Sequence, residues 1–143
     1  MKRCVGFWVV MAALAGCGDD AAEADLRGSV SRIYPLGFAH TRARRGASEL
    51  AVQWVAADGQ VPVQVVLRSP DTLGPGAWRL PEHGDVLGTR DDRELPALSG
   101  GEVQLSAFEP TPGGRVAGAV QVTLVGGYSL IGVFEAEVED VAP

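Results

Sequence analysis

Lysine is almost missing from this 143-residue chain: Lys2 is the single one, and every other cation is an arginine. Bases are also few beside acids, 12 against 18, for a formal charge of −6. That balance argues against a nucleic-acid binder, because phosphate contacts need Lys and Arg. Only two cysteines are present, Cys4 and Cys17, which excludes a disulfide-dense scaffold and a four-cysteine zinc site. Histidine occurs twice, at His40 and His83, so few groups titrate near neutral pH. No long hydrophobic run exists: the uncharged stretch from Cys4 to Gly18 is shorter than the ~20 residues a spanning helix needs. Apolar residues at 46% and charged residues at 21% are ordinary for a globular protein. The length suits one domain.

The N-terminus begins Met1-Lys2-Arg3 and continues into that short apolar stretch, the pattern of a secretory signal. The stretch closes with Leu14-Ala15-Gly16-Cys17. This tetrapeptide resembles the lipobox of bacterial lipoproteins. Small Ala15 and Gly16 admit the backbone to a protease cleft, and the Cys17 thiol is the nucleophile for thioether formation. The resemblance implies cleavage before Cys17, a diacylglycerol on its sulfur and an acyl chain on its new amino group. Each buried methylene contributes about 0.8 kcal/mol, so two or three chains hold a protein on a membrane. Within that family an Asp directly after the cysteine marks inner-membrane retention. Gly18 stands there, which implies an outer-membrane address. No other cofactor and no metal is expected.

The expected organisation is a signal peptide over 1–16, a lipidated cysteine and acidic tether over 17–25, and one domain over 26–143. The tether holds four acids and no base, and has no face to bury. Beyond it the apolar period is two. Strands are predicted over 48–57, 60–68, 102–108, 115–125 and 129–141, with a turn at Asp58-Gly59. Pro62 suggests that its strand has a free edge. No stretch after residue 17 carries a helical stripe. The segment 69–101 is rich in Gly and Pro and reads as a long excursion with two brief strands near 77–80 and 85–89. The fold class is all-β: a single antiparallel barrel or sandwich of about 7–8 strands.

Three segments share an apolar-x-Gly-x-apolar pattern, centred on Gly28, Gly118 and Gly132. Glycine weakens a strand, so its recurrence on the apolar face points to close backbone approach or the bends that curve a barrel shut. The pattern also predicts that the first strand lies beside the last. Charge agrees, since five arginines and no acid lie between Arg27 and Arg45, whereas Glu135, Glu137 and Glu139 share one face of the final strand. Opposed rows on neighbouring strands would attract. The alternation and the late Gly-Phe strand resemble small β-domains of uncharacterised bacterial lipoproteins, some of them like calycin barrels.

Candidate chemistry is sparse. Glu82-His83-Gly84-Asp85 places an imidazole between two carboxylates in the long excursion, but without recognised metal-ligand spacing. A triad through His83 lacks a Gly-x-Ser-x-Gly elbow. Trp78 has two readings, a platform for a sugar ring or a cover for the core. His40, Arg42 and Arg44 alternate along one strand face and form either an anion-binding stripe or a solvated face. The expected function is a lipid-anchored, non-catalytic binding or structural module that contacts another envelope protein or a cell-wall glycan. One alternative is a carrier whose barrel holds a small apolar ligand. A hydrolase using His83 ranks behind both.

Overall fold

The structure, a computed structural model, describes residues 24–140. Leu14, Ala15, Gly16, Cys17 and most of the expected tether lie outside the described residues. The chain is all-β, in the order β1 Asp25–Arg27, β2 His40–Arg45, β3 Glu49–Val55, β4 Val63–Arg68, β5 Gly76–Leu80, β6 Gly84–Leu87, β7 Thr89–Arg90, β8 Arg93–Glu94, β9 Leu98–Phe108, β10 Arg115–Leu124 and β11 Ser129–Asp140. Two 3-10 turns, Ser29–Arg32 and Pro70–Thr72, are the only helical elements among the described residues. Alternation along β3, β4, β10 and β11 generates these strands, because every second side chain finds an apolar interior.

One sheet runs β5-β9-β10-β11-β2-β3-β4-β6. Its two terminal strands are consecutive in the chain. β5 pairs with β9, β6 pairs with β4, and residues 81–83 join them. A short turn therefore ties the sheet's ends together and makes a nearly closed, barrel-like wall. Two bulges help to bend it. Ser99 and Ser106 of β9 are extra residues opposite β10, and an extra residue adds local twist. β7 and β8 form a separate small hairpin.

β1 lies antiparallel to β11, with Leu26 opposite Gly132, as the glycine pattern predicts. β2 flanks the other half of β11, but in parallel, through Val138 and Ala43. The parallel ladder departs from the all-antiparallel expectation. Its cause is the segment 28–39, which crosses one end of the barrel and so reverses the chain before β2. Along that crossing Val30, Tyr34 and Leu36 are buried and close the barrel end together with Leu95. The opposite end is tied by Arg45. Its guanidinium binds both oxygens of Asp71, at 3.2 and 3.0 Å, and donates to the Pro110 carbonyl at 3.2 Å. Those bonds hold the Asp71 carboxyl below the usual carboxylate range.

Two expectations need correction. Pro62 precedes β4 rather than marking a free edge, since β4 pairs with both β3 and β6. Nor do the opposed charge rows pair. Glu135 binds Arg115 and Arg45 binds Asp71, and among the described residues no ion pair joins Arg27–Arg45 to the acids of β11. Arg44 stands opposite Glu139 in register, but the ladder there is only three residues long.

The glycines mark close approaches. A Cβ on Gly118 would come 2.2 Å from the Gln104 carbonyl oxygen, and one on Gly28 would come 2.2 Å from that of Ser129. Gly28 precedes the first 3-10 turn at φ +143 rather than sitting in a strand. Gly132 faces inward, where a Cβ would lie 2.7 Å from Cζ2 of Trp54. Trp54 is fully buried and meets Phe134 edge-to-face, with ring centroids 5.8 Å apart. Gly132→Ala should therefore overpack the interior and cost about 1–3 kcal/mol in urea unfolding. Trp54→Phe should relieve part of that cost, read as a non-additive double-mutant cycle.

Tyr34 supplies the second test. Its hydroxyl donates to the Pro62 carbonyl at 2.8 Å, and burial pushes its pKa up to about 12. The ordinary value is about 10, so the stability that depends on the neutral phenol is complete below pH ~10 and is lost as pH rises toward 12. Unfolding free energies measured from pH 9 to 12 should fall more steeply for the native chain than for Tyr34→Phe.

Candidate functional site

The residues singled out in the long excursion do meet, but as packing partners. Trp78 on β5 donates its Nε1–H to the Gly74 carbonyl at 2.7 Å, and its half-buried ring packs against the core. The His83 ring stands edge-to-face on it at 5.0 Å. Glu82 Oε1 lies 3.8 Å from His83 Nε2. The turn that carries Glu82 and His83 is pinned from below by Arg68, which donates to the carbonyls of Pro81 and Glu82. Trp78 therefore has the core-covering geometry rather than that of an open stacking platform.

Asp85 has a different task. The Arg68 N–H binds the His83 carbonyl, so by ladder alternation the backbone groups of Val86 face away from β4. Asp85 Oδ1 accepts that Val86 N–H at 2.8 Å. The carboxylate thus stands in for an absent neighbouring strand and satisfies an edge donor. One of its oxygens is committed to its own backbone. Among the described residues no three His, Cys, Asp or Glu side chains gather as metal ligands, and no hydroxyl binds His83.

His40, Arg42 and Arg44 occupy one outer face of β2, as the alternation implies. The structure shares out their chemistry. Arg42 Nε donates to Gln53 Oε1 at 2.6 Å, and Gln53 Nε2 donates to Gln64 Oε1 at 3.0 Å. The result is a polar ladder across β2, β3 and β4. Arg42 is engaged by it, leaving Arg44 over a shallow concavity of about 290 Å³ with Glu49 on its border. An acid on the rim weakens the case for an anion stripe.

The interior is filled. Leu50, Val52, Trp54, Val63, Val65, Leu105, Val120, Val122 and Phe134 are each at most 3% exposed. Side chains lining a cup of several hundred Å³ would present accessible surface, and these present almost none. The concavities are on the outside. One of about 650 Å³ crosses the outer face of β9, β10 and β11 over Ala117 and Ala119, beside the Arg115–Glu135 ion pair. Another, of about 600 Å³, opens beside β6 and runs between Val86, Leu87, Leu95 and Ala97. Sequence reading missed this second groove. The usable signal is the break in alternation after Leu87, where the chain leaves β6 with an apolar side chain still facing outward.

No protein-family model, no curated protein and no solved structure matches this chain. Asp85→Ala should free the Val86 N–H and lower stability by about 1 kcal/mol. Calcium or zinc should leave the thermal midpoint of the native protein unchanged. A midpoint that rises with either ion and falls back with a chelator would restore the metal reading of Glu82, His83 and Asp85.

Proposed function

We propose that this protein is a lipoprotein of the cell envelope, held by acyl chains on Cys17, whose β domain is a non-catalytic binding or structural module. The observation that carries the anchor is Leu14-Ala15-Gly16-Cys17 at the end of a basic start and a short apolar run. No helix among the described residues is long and apolar enough to cross a membrane. The outer membrane is the favoured address, because Gly18 rather than Asp follows the cysteine. The partner is an envelope protein or a cell-wall glycan.

The module reading draws support from the division between inside and outside. An interior without accessible surface leaves no room for a small apolar ligand, so a carrier has less support than a surface binder. His83 stands edge-to-face on Trp78 and Asp85 Oδ1 accepts the Val86 N–H, which favours a structural role for both residues over a hydrolase's base and orienting acid. What remains available is the exterior, which carries several grooves and a polar ladder.

The anchor is tested in the cell. Cells expressing the native chain and fed radiolabelled palmitate should yield a labelled protein in the membrane fraction. Cys17→Ser should abolish the label and release the protein from that fraction. Label that persists in Cys17→Ser would refute the assignment.

A further inference from the structure

The groove beside β6 combines apolar surface with a charged border. Its floor is Val86 and Leu95, both buried, and its lip is Leu87, which is 45% exposed. Ala97 forms part of the wall, and its carbonyl accepts the N–H of Val125, which is 59% exposed. Leu87, one of the three exposed large hydrophobic side chains of the described residues, thus borders a concavity with an apolar floor. An isolated apolar side chain on a surface is ordinary, but Leu87 on the lip of a groove floored by Val86 and Leu95 extends an apolar contact patch.

The border is acidic. Glu94 lines the groove, and Asp91 and Asp92 sit in the exposed turn between β7 and β8. Gln60, also a lining residue, donates to Asp91 and Asp58, joining the β3–β4 turn to the hairpin. The Gln60 backbone N–H, and after it the side-chain amide, hold the Asp58 carboxyl below the usual carboxylate range, so it remains ionised. Two cations belong to the same region, and both have partners: Arg90 donates to the Gly37 carbonyl at 3.2 Å and Arg93 to that of Ile33 at 3.4 Å. Counted together, four acids face two arginines, so the border is negative. An anionic headgroup or a nucleic acid is disfavoured there, whereas a chain carrying both apolar and basic side chains is favoured on both counts.

We infer that the groove beside β6 docks a segment of another polypeptide in which apolar and basic side chains alternate. Its apolar side chains fill the trough between Leu87 and Leu95, and its cations meet Glu94, Asp91 and Asp92. The inference deepens the binding-module reading and rests on it, naming a surface and the chemistry of its partner.

The test uses the full chain in detergent micelles and a fluorescent octapeptide alternating valine and lysine. Anisotropy should show saturable binding that weakens as salt rises, because the charges at the border are exposed. Leu87→Ser should weaken it about tenfold, equivalent to ~1.4 kcal/mol. Glu94→Gln should weaken binding less and flatten the salt dependence. Both positions are exposed or partly so, and circular dichroism confirms that each variant is folded. A peptide of valine and glutamate should not bind. Equal binding to Leu87→Ser, equal binding of the acidic peptide, or no binding would overturn the inference. So would self-association of the protein that Leu87→Ser abolishes, since the occupant would then be a second copy. Failure of the peptide to bind, with palmitate labelling of Cys17 intact, would remove this surface and leave the envelope lipoprotein standing.

Discussion

A tryptophan indole inside a small barrel needs an opposing wall with nothing on it. Trp54 is the largest fully buried side chain, and the wall across from it is the bare backbone of Gly132. Their fit sets the spacing between β3 and β11, which are not neighbours in the sheet. Neighbouring contacts follow from it. Gly132 stands opposite Val120 on β10 and Leu26 on β1, while Phe134 stands opposite Gly118, so large and small side chains interdigitate around the ring. The indole N–H meets no hydrogen-bond acceptor among the described residues. A buried donor without an acceptor costs about 1–3 kcal/mol. The edge-to-face contact with Phe134 and the close packing offset that cost.

The wall around this centre closes through shared chain rather than through one continuous ladder. β5 and β6 divide one closure between them, the first bonded to β9 and the second to β4. β1 and β2 divide the flank of β11 in the same manner, one at each half. Such half-filled lanes leave backbone groups without a neighbouring strand. The protein answers with side chains: Asp85 takes the Val86 N–H, and the Thr41 hydroxyl donates to the Glu135 carbonyl at 3.0 Å. Residues that look like chemistry in a linear reading therefore serve the edges of the sheet. Where no side chain fills the lane beside β6, a groove remains.

Much of the architecture was legible in the sequence. Alternation located β3, β4, β9, β10 and β11 to within a few residues, because a strand with one buried face must alternate. The glycine pattern placed β1 beside β11. The parallel pairing of β2 was not legible, since it depends on how residues 28–39 cap the barrel end. Register also decided the fate of the charges. Arg45 reaches the rim and Asp71, a partner that no local pattern predicts. Among the candidate site residues, Trp78, Glu82 and His83 lie in contact, while Asp85 serves its own strand. The sequence could not reveal that hydrogen bonds to Gly74 and Val86 already occupy two of them. The groove stayed hidden because its walls join residues 86–97 to residues 60–64, a separate stretch of chain.

The placement of β1 has a mechanical consequence. Any tension that reaches the domain through residues before Asp25 enters at a three-residue strand on the flank of β11. Directly behind it, Ser29 and Ser129 exchange backbone-to-hydroxyl bonds at 3.0 and 2.8 Å, and Val30 is sunk in the barrel end. A pull along β1 must shear its ladder and break the serine clasp before it can draw the Val30 plug. The domain thus carries its own strain relief, and a load on the N-terminal residues is stopped at the wall before it reaches the packing around Trp54.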